Sequence, residues 1–377
     1  MSSHLSEYDF TQIPFPKIEA LGQRSLIYRD LFTVSWILGR FCNYRCSYCW
    51  PYASSRVKDH RPTEVILKNI SEIKRQARAR GFNSFHFSFS GGEPSMHPGY
   101  LEILKNYGQD TPQCNYQSVH MTSNLSLNLD WYEKYVKATE DLNRVSITAS
   151  FHSEFAKPEA FKEKIIFLQS HDIQVTINMV MVPERFEMLW ERALDFHNAG
   201  INVTLKPQSN SNASEIVEGY TPEQLELLRR GLPQLDYTGL RLRKIEKIST
   251  RPKSKIEIQD RAHAGNKLAN MQLEMRDASG ERWYLDQAER LNAFPFNSFK
   301  GWECSAGYRS LIVREPGGVV KRSYSCHDKP LGTLDEGFEL FPEVKLCQTQ
   351  SCVSSADSKI PKRKENTQWP LWPEQQQ

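Results

Sequence analysis

Three cysteines within eight residues set the strongest constraint on this chain, in Phe41-Cys42-Asn43-Tyr44-Arg45-Cys46-Ser47-Tyr48-Cys49. Thiolates at C-x3-C-x2-C spacing can hold three irons of a cubane iron–sulfur cluster and leave the fourth iron open. The neighbours Tyr48, Trp50 and Tyr52 are poor ligands, so the loop offers no fourth. Zinc is the competing occupant, although zinc knuckles favour paired cysteines with histidines.

The surrounding sequence alternates strands and helices. Thr33 to Leu38 is β-branched and apolar and reads as a core strand leading into the cysteine loop. A helix is expected from about Thr63 to Arg80, with Ile66, Ile70, Ile73 and Ala77 on one face and Gly81 at its end. From Ser84 to Ser90, Phe85, Phe87 and Phe89 alternate with His86, Ser88 and Ser90, the period of a strand. Gly91-Gly92-Glu93-Pro94 follows at once. Further strands are expected near residues 117–122, 144–150, 173–181 and 202–206. Helices near 99–106 and 129–138, and others starting at Pro158 and Glu184, separate them. Six strands alternating with helices imply a parallel sheet with right-handed crossovers. Beyond Pro207 the periodicity weakens. Ser209 to Ser214 reads as a polar loop, Thr221 to Gly231 as a short helix, and 241–255 as a basic stretch. Met271 to Leu285 reads as a hairpin turning at Ser279-Gly280.

The cysteine spacing resembles the cluster motif of the radical S-adenosylmethionine (radical SAM) enzymes. The resemblance implies an α/β fold, a partial (β/α)6 TIM-like barrel, with its site at the C-terminal ends of the strands. Cys42–Cys49 and Gly91–Pro94 both follow strands and so fall on that rim. It also implies that Cys42, Cys46 and Cys49 hold a [4Fe–4S] cluster. The open iron would chelate the methionine part of S-adenosyl-L-methionine, which the reduced cluster cleaves to a 5′-deoxyadenosyl radical. Tyr48 is then expected near the adenine. Gly91, Gly92 and Glu93 match the motif that orients the cofactor's amino group: glycines permit close backbone approach, and Glu93 can accept from an ammonium. Thr122-Ser123-Asn124 stands where relatives carry Thr-Asn-Gly, and Ser150 where a serine touches the ribose or carboxylate. Asn124, Ser150 and Asn178 are candidate cofactor contacts, and Lys206 and Gln208 candidates to face the cavity. His152 is a candidate proton acceptor, with a hydrogen-bonded rim histidine as the alternative.

Cys304, Cys326, Cys347 and Cys352 form a second group. Cys304-Ser305-Ala306-Gly307, then Gly317-Gly318, Cys326 and Leu331-Gly332-Thr333-Leu334, resembles the extension called SPASM or its shorter relative, the twitch domain. Four cysteines rather than seven imply a small twitch-like α+β domain with one auxiliary [4Fe–4S] cluster. The closing C-x4-C departs from the commoner C-x2-C. A zinc held by four thiolates is the alternative. A cluster with four protein ligands has no open iron and suits electron transfer. Cys114 reads as an inert buried thiol.

The 377 residues suffice for one large domain and a smaller one. The expected division is a lead-in at 1–32, the barrel at 33–208, a connecting or capping segment at 209–300, the twitch-like domain at 301–355 and a mobile tail at 356–377. A formal charge of +3 is too small to point to nucleic acid. No apolar run reaches membrane-spanning length, and the first residues resemble no targeting signal, so a cytoplasmic protein is expected. The expected reaction begins with hydrogen abstraction from an unactivated C–H, the auxiliary cluster passing an electron. The expected substrate is a polar small metabolite of sugar or aminocyclitol type. The alternative is a peptide side chain or backbone, as in ribosomal-peptide maturases, and RNA modification comes third. An electron donor such as flavodoxin or ferredoxin is the expected partner, with no membrane.

Overall fold

The computed structural model describes residues 13–49, 54–210, 215–233, 251–254, 273–285, 297–352 and 354–370. Six parallel strands form its centre: β2 (Leu31–Ile37), β3 (Ser84–Ser90), β4 (Tyr116–Ser123), β5 (Arg144–Phe151), β6 (Ile173–Met181) and β7 (Asn202–Pro207). Helices α1 (Thr63–Arg78), α2 (Tyr100–Gln109), α3 (Leu129–Ala138), α4 (Pro158–Ser170) and α5 (Phe186–Asn198) make the crossovers. The alternation in the sequence thus becomes a parallel α/β sheet with neighbours in chain order.

The two faces of the sheet differ sharply. Phe85, Phe87 and Phe89 are fully buried against the helices, as are Ile66 and Ile73 of α1. A sheet covered on both faces has near-continuous apolar strands. Here each strand alternates, so the inner face is polar. In register across it run Ser35, Ser88, His120 and Ser146, and one layer higher Thr122, Thr148 and Thr176. Successive side chains of a strand point to opposite faces, so these residues line a common lumen.

Strand β11 (Ser310–Arg314) pairs in parallel with β2 and extends the sheet beyond the barrel. β12 (Val319–Lys321), β13 (Gly332–Thr333) and β14 (Gly337–Phe338) continue it antiparallel. Arg61, at the end of the cysteine loop, ties this extension to the rim through Glu315 and Asp335, each at 2.5 Å.

A second, antiparallel sheet has the order β15, β10, β16, β1, β8, β9. Its strands are β1 (Ile18–Gln23), β8 (Leu273–Asp277), β9 (Arg282–Leu285), β10 (Trp302–Cys304), β15 (Lys345–Leu346) and β16 (Lys362–Lys364). β8 and β9 are the hairpin turning at Ser279-Gly280. Two segments differ from the division drawn from sequence. The lead-in supplies β1, and the segment read as a mobile tail supplies β16, between β10 and β1. The basic run Lys362-Arg363-Lys364 looks solvated in sequence. Yet Lys362 is 2% exposed, and its ammonium donates to the carbonyls of Asp357 (2.6 Å), Ser358 and Ile360 (2.7 Å). Three-residue strands carry too little pattern to be read locally. The polar loop at 211–214, most of the basic stretch 241–255, Trp50, Tyr52 and the Gln-rich end at 371–377 lie outside the described residues.

Removing residues 361–377 strips the strand that joins β10 to β1 and uncovers Ile18, Leu21 and Trp302. The expected result is an unfolding midpoint lower by about 10 °C or more, read by calorimetry. A mobile tail would leave the midpoint unchanged.

Candidate active site

The cysteine loop leaves β2 at the C-terminal rim and is pinned through its main chain. Cys42 N–H donates to the Ser55 carbonyl (3.2 Å), Ser55 N–H to that of Arg40 (2.6 Å), and Cys49 N–H to that of Cys46 (3.0 Å). Arg45 folds its guanidinium onto the Cys42 and Tyr44 carbonyls, both at 2.9 Å. Cys42 and Cys46 are half-buried and Cys49 is exposed. Burial pushes the Cys42 thiol up, and the charges of Glu93 and Cys49 add to it. Burial, then the charges of Cys49 and Glu154, push Cys46 up to about 12.

Gly91 and Gly92 lie against the backbone of this loop. A Cβ at Gly91 would come within 2.2 Å of the Gly39 carbonyl oxygen, and one at Gly92 within 2.2 Å of that of Phe41. Their role here is to let the end of β3 press against residues 39–41. Gly92 and Glu93 N–H donate to the Gly39 (3.0 Å) and Phe41 (2.8 Å) carbonyls. The Glu93 side chain is 3% exposed and turned inward. It accepts from Ser95 N–H (3.1 Å), Ser95 Oγ (2.6 Å), Ser123 Oγ (2.9 Å) and Asn124 N–H (2.6 Å). A carboxylate offers about four lone-pair sites; three of these bonds fall on Oε1 and one on Oε2. Burial pushes this carboxyl up while the donated bonds pull it back. Glu93 therefore joins the ends of β3 and β4. Asn124, held by it, reaches Cys42 Sγ at 3.8 Å and Asn43 Oδ1 at 3.0 Å.

The loop after β5 clamps the cysteine loop from the other side. Tyr48 Oη lies 2.9 Å from His152 Nδ1, and the two rings stack at 5.8 Å. Tyr44 stacks on Phe155 at 4.9 Å. Glu154 accepts from Ser47 N–H (2.8 Å) and from the Ser47 hydroxyl, and Arg185 stands 3.7 Å from it. Burial brings His152 down to about 4, against the charge of Glu154. A neutral imidazole bonded to Tyr48 braces the loop. Glu154 and Phe155 were not singled out in the sequence, although they lie two and three residues beyond His152.

Ser150 and Asn178 stand side by side in register on the inner face of β5 and β6, with Thr204 next to Asn178. Deeper in the lumen, His86 Nδ1 lies 2.8 Å from Ser118 Oγ, and His120 Nδ1 lies 2.9 Å from Ser146 Oγ. Burial brings His86 down to about 3 and His120 to about 4, and the charges of Lys359 and Arg144 act on both. Lys206 is exposed at the end of β7, and Gln208 N–H is taken by Tyr220 Oη at 2.7 Å. Cys114 lies at the other end of the strands, 3.2 Å from Gln117 Oε1 and away from the rim.

The four distal cysteines come together between the two sheets, all buried. Cys304 ends β10, Cys326 follows β12, and Cys347 follows β15. Cys352 N–H is anchored on the Asn297 carbonyl at 2.8 Å. The charge of Cys304 acts on Cys326, Cys347 and Cys352. Arg322 is close enough to act on Cys326 and Cys347, and Lys362 on Cys347 and Cys352. Among the described residues, no three His, Cys, Asp or Glu side chains close on one point as ligands of a single ion do. Both groups of thiols are gathered at the longer range of mutual charge.

This arrangement meets a known family. The family model of the Radical SAM superfamily matches residues 36–197, which run from β2 to α5. Residues 36–197 thus resemble a radical SAM domain, a family that implies S-adenosylmethionine and a [4Fe–4S] cluster. A GTP 3′,8-cyclase of Microcystis aeruginosa is 29% identical over 93 residues, 24% of this chain and 25% of that protein. The match thus spans about a quarter of the curated relative. Among solved structures, anSMEcpe with bound AdoMet aligns at 11% identity over 82% of this chain and 76% of that one, with a TM-score of 0.49. Streptococcus suis SuiB bound to precursor peptide SuiA aligns at 14% identity over 78% of this chain and 59% of that one, with a TM-score of 0.42.

The donor set of residues 36–197 fits the cluster. Burial and the charge of neighbouring thiolates raise Cys42 and Cys46, so the thiolates are held together only when cations lie among them. Two outcomes follow from the geometry around them. Glu93→Gln places an amide N–H₂ against donors and leaves at least one buried N–H or O–H unmatched. It should cost about 1–3 kcal/mol in urea unfolding. The lumen histidines should make stability fall in acid. Their folded values, about 3 and about 4, lie below the unfolded one, which is about 6.5. The stabilisation is therefore complete above about pH 6.5 and is lost as pH falls toward 4 and 3. His120→Gln should flatten the urea midpoint between pH 6.5 and 4.5 relative to the parent.

Proposed function

We propose that this chain is a radical SAM enzyme that removes a hydrogen atom from a C–H bond of a polar small metabolite held in the lumen. The observation that carries the substrate class is the inner face of the sheet. In an apolar lumen, a hydroxylated substrate would give up its water without replacement bonds, at a cost of a few kcal/mol per group. Here β2 to β6 offer hydroxyls, imidazoles and amides in registered rows.

In this reading Cys42, Cys46 and Cys49 hold the [4Fe–4S] cluster through three of its irons, and the fourth is left for the cofactor. Bound together, cluster and S-adenosylmethionine supply the one-electron chemistry that starts hydrogen abstraction. The chain's own residues position and shield. Gly91 and Gly92 bring the end of β3 onto the cysteine loop, and Glu93 fixes Asn124 beside Cys42. Tyr48, braced by His152, presents its ring on the rim. Ser150 and Asn178 offer polar contacts at the mouth of the lumen. A small reductant protein such as flavodoxin or ferredoxin is the electron source.

Cys304, Cys326, Cys347 and Cys352 hold an auxiliary [4Fe–4S] cluster in a twitch-like module. The buried cations Arg322 and Lys362 support this, since a cluster with four thiolates carries net negative charge. With no open iron, its role is to accept an electron from the substrate side. Four buried thiolates with two cations also suit zinc, and metal analysis separates the two.

Anaerobic reconstitution should give about eight irons and eight sulfides per chain. Cys42→Ala should lower both to about four and abolish 5′-deoxyadenosine formation under strong reduction. Cys347→Ala should lower both to about four and retain that formation. One zinc with about four irons in the parent would remove the auxiliary cluster from this reading.

A further inference from the structure

The cysteine-rich C-terminal module also furnishes part of the lumen wall. Tyr324 lies between β12 and Cys326, and its hydroxyl is close enough to Ser35 of β2 and Ser90 of β3, both on the inner face, for each to act on it. It nevertheless retains 38% of its surface. Its hydroxyl thus stands at the inner face of the barrel sheet. Its backbone is fixed by Asp357, whose carboxylate accepts from Tyr324 N–H (3.3 Å) and Ser325 N–H (2.7 Å). Two residues further on, Lys359 stands close enough to His86 and His120 for its charge to act on both imidazoles. Asp357 thus sets two groups from one turn against the barrel.

The charge of this chamber is one-sided. Among the described residues, the Lys359 ammonium has no hydrogen-bond or ion-pair partner, its backbone N–H donating to the Asp357 carbonyl. The Arg314 guanidinium has none either; Arg314 stands beside Ile37 in register, and its charge reaches Tyr324. The inward positions of β2 to β7 carry no carboxylate. Asp357 is spent on backbone N–H groups, and Glu93 is 3% exposed and bonded to Ser95, Ser123 and Asn124. His86 and His120 are held neutral, each tied to a serine through Nδ1. Among the described residues, such a chamber offers Lys359 and Arg314 without counter-ions, Arg144 bonded only to the neutral Gln174, and a carpet of neutral hydrogen-bonding groups. A cation inside it would meet like charge from these groups.

We propose that the lumen binds a hydroxylated small-molecule anion, a carboxylate or phosphate, with Lys359 and Arg314 as its charge-reading residues and Tyr324 as a wall contact. This rests on the reading of the lumen as the substrate chamber, and within it favours sugar acids or sugar phosphates over aminocyclitols. Charge-assisted bonds to an ammonium or guanidinium are the strong ones in such a site. The hydroxyls of the ligand are matched by the serine, threonine and histidine rows.

The test is calorimetric titration of the full, anaerobically reconstituted chain with S-adenosylmethionine present. The probes, in separate runs, are glucuronate, glucose 6-phosphate, glucose and glucosamine. At least one anion should bind at least about tenfold more tightly than glucose and glucosamine, equivalent to about 1.4 kcal/mol. Which anion binds tells a carboxylate reader from a phosphate reader. Lys359→Gln and Arg314→Gln should each weaken that binding about tenfold or more, and Lys359→Arg should keep most of it. The unfolding midpoint of each variant without ligand reports whether it folds. If Lys359→Gln fails to fold, Arg314→Gln carries the test alone. Tighter binding of glucosamine, no binding of either anion, or anion binding indifferent to both variants overturns the proposal. 5′-Deoxyadenosine formation by the parent separates the two failures. If it occurs and no anion binds, only the charge assignment fails. If it does not occur, the enzyme reading fails with it.

Discussion

The rim depends on one buried carboxylate. Glu93 gathers donors from Ser95, Ser123 and Asn124, so the ends of β3 and β4 cannot separate without leaving a desolvated charge behind. Gly91 and Gly92 allow the same segment to touch the backbone that leads into Cys42. The position of the three thiols is thereby coupled to the sheet itself. Without this junction the cysteine loop would be held only by β2 and the loop after β5. The clamp of Tyr48, Ser47 and Tyr44 on the loop after β5 completes a ring of support from three strands.

A second consequence comes from the alternation of the strands. The same period that buries Phe85, Phe87 and Phe89 against helices turns His86, Ser88 and Ser90 inward. Core and chamber are two faces of one pattern. A substitution that shifts the register by one residue would expose phenylalanine to the lumen and bury histidine and serine among helices. Stability and substrate chemistry are therefore bound to each other along every strand.

The second sheet links the remote cysteines to this chamber. Its strands come from near the beginning, the middle and near the end of the described chain, and the four thiols lie where it meets the extension of the barrel sheet. The turn that follows Cys352 carries Asp357 and Lys359, and the stretch before Cys326 carries Tyr324. The residues that bracket the distal thiols thus also reach the lumen. Loss of order at those thiols would be felt in the chamber as displacement of Tyr324 and Lys359.

Sequence alone determined whatever rests on short-range order. The six central strands, the five crossover helices and the 273–285 hairpin coincide with their expected places within a few residues, because period two and period 3.6 are local properties of the chain. The thiol triplet and Gly91–Glu93 were legible for the same reason: each is contiguous and follows a strand. Tertiary structure alone decided what depends on distant pairing. β16 is too short to announce itself, and both it and β1 are completed by strands remote in sequence: β8 and β16 flank β1, and β1 and β10 flank β16. The bonds from Ser123 and Asn124 to Glu93 needed β4 beside it, and the bracing of His152 needed Tyr48, 104 residues away. Tyr324, Arg314 and Lys359 carry no motif. Their meaning arises from the lumen they enter, which no window of the sequence contains.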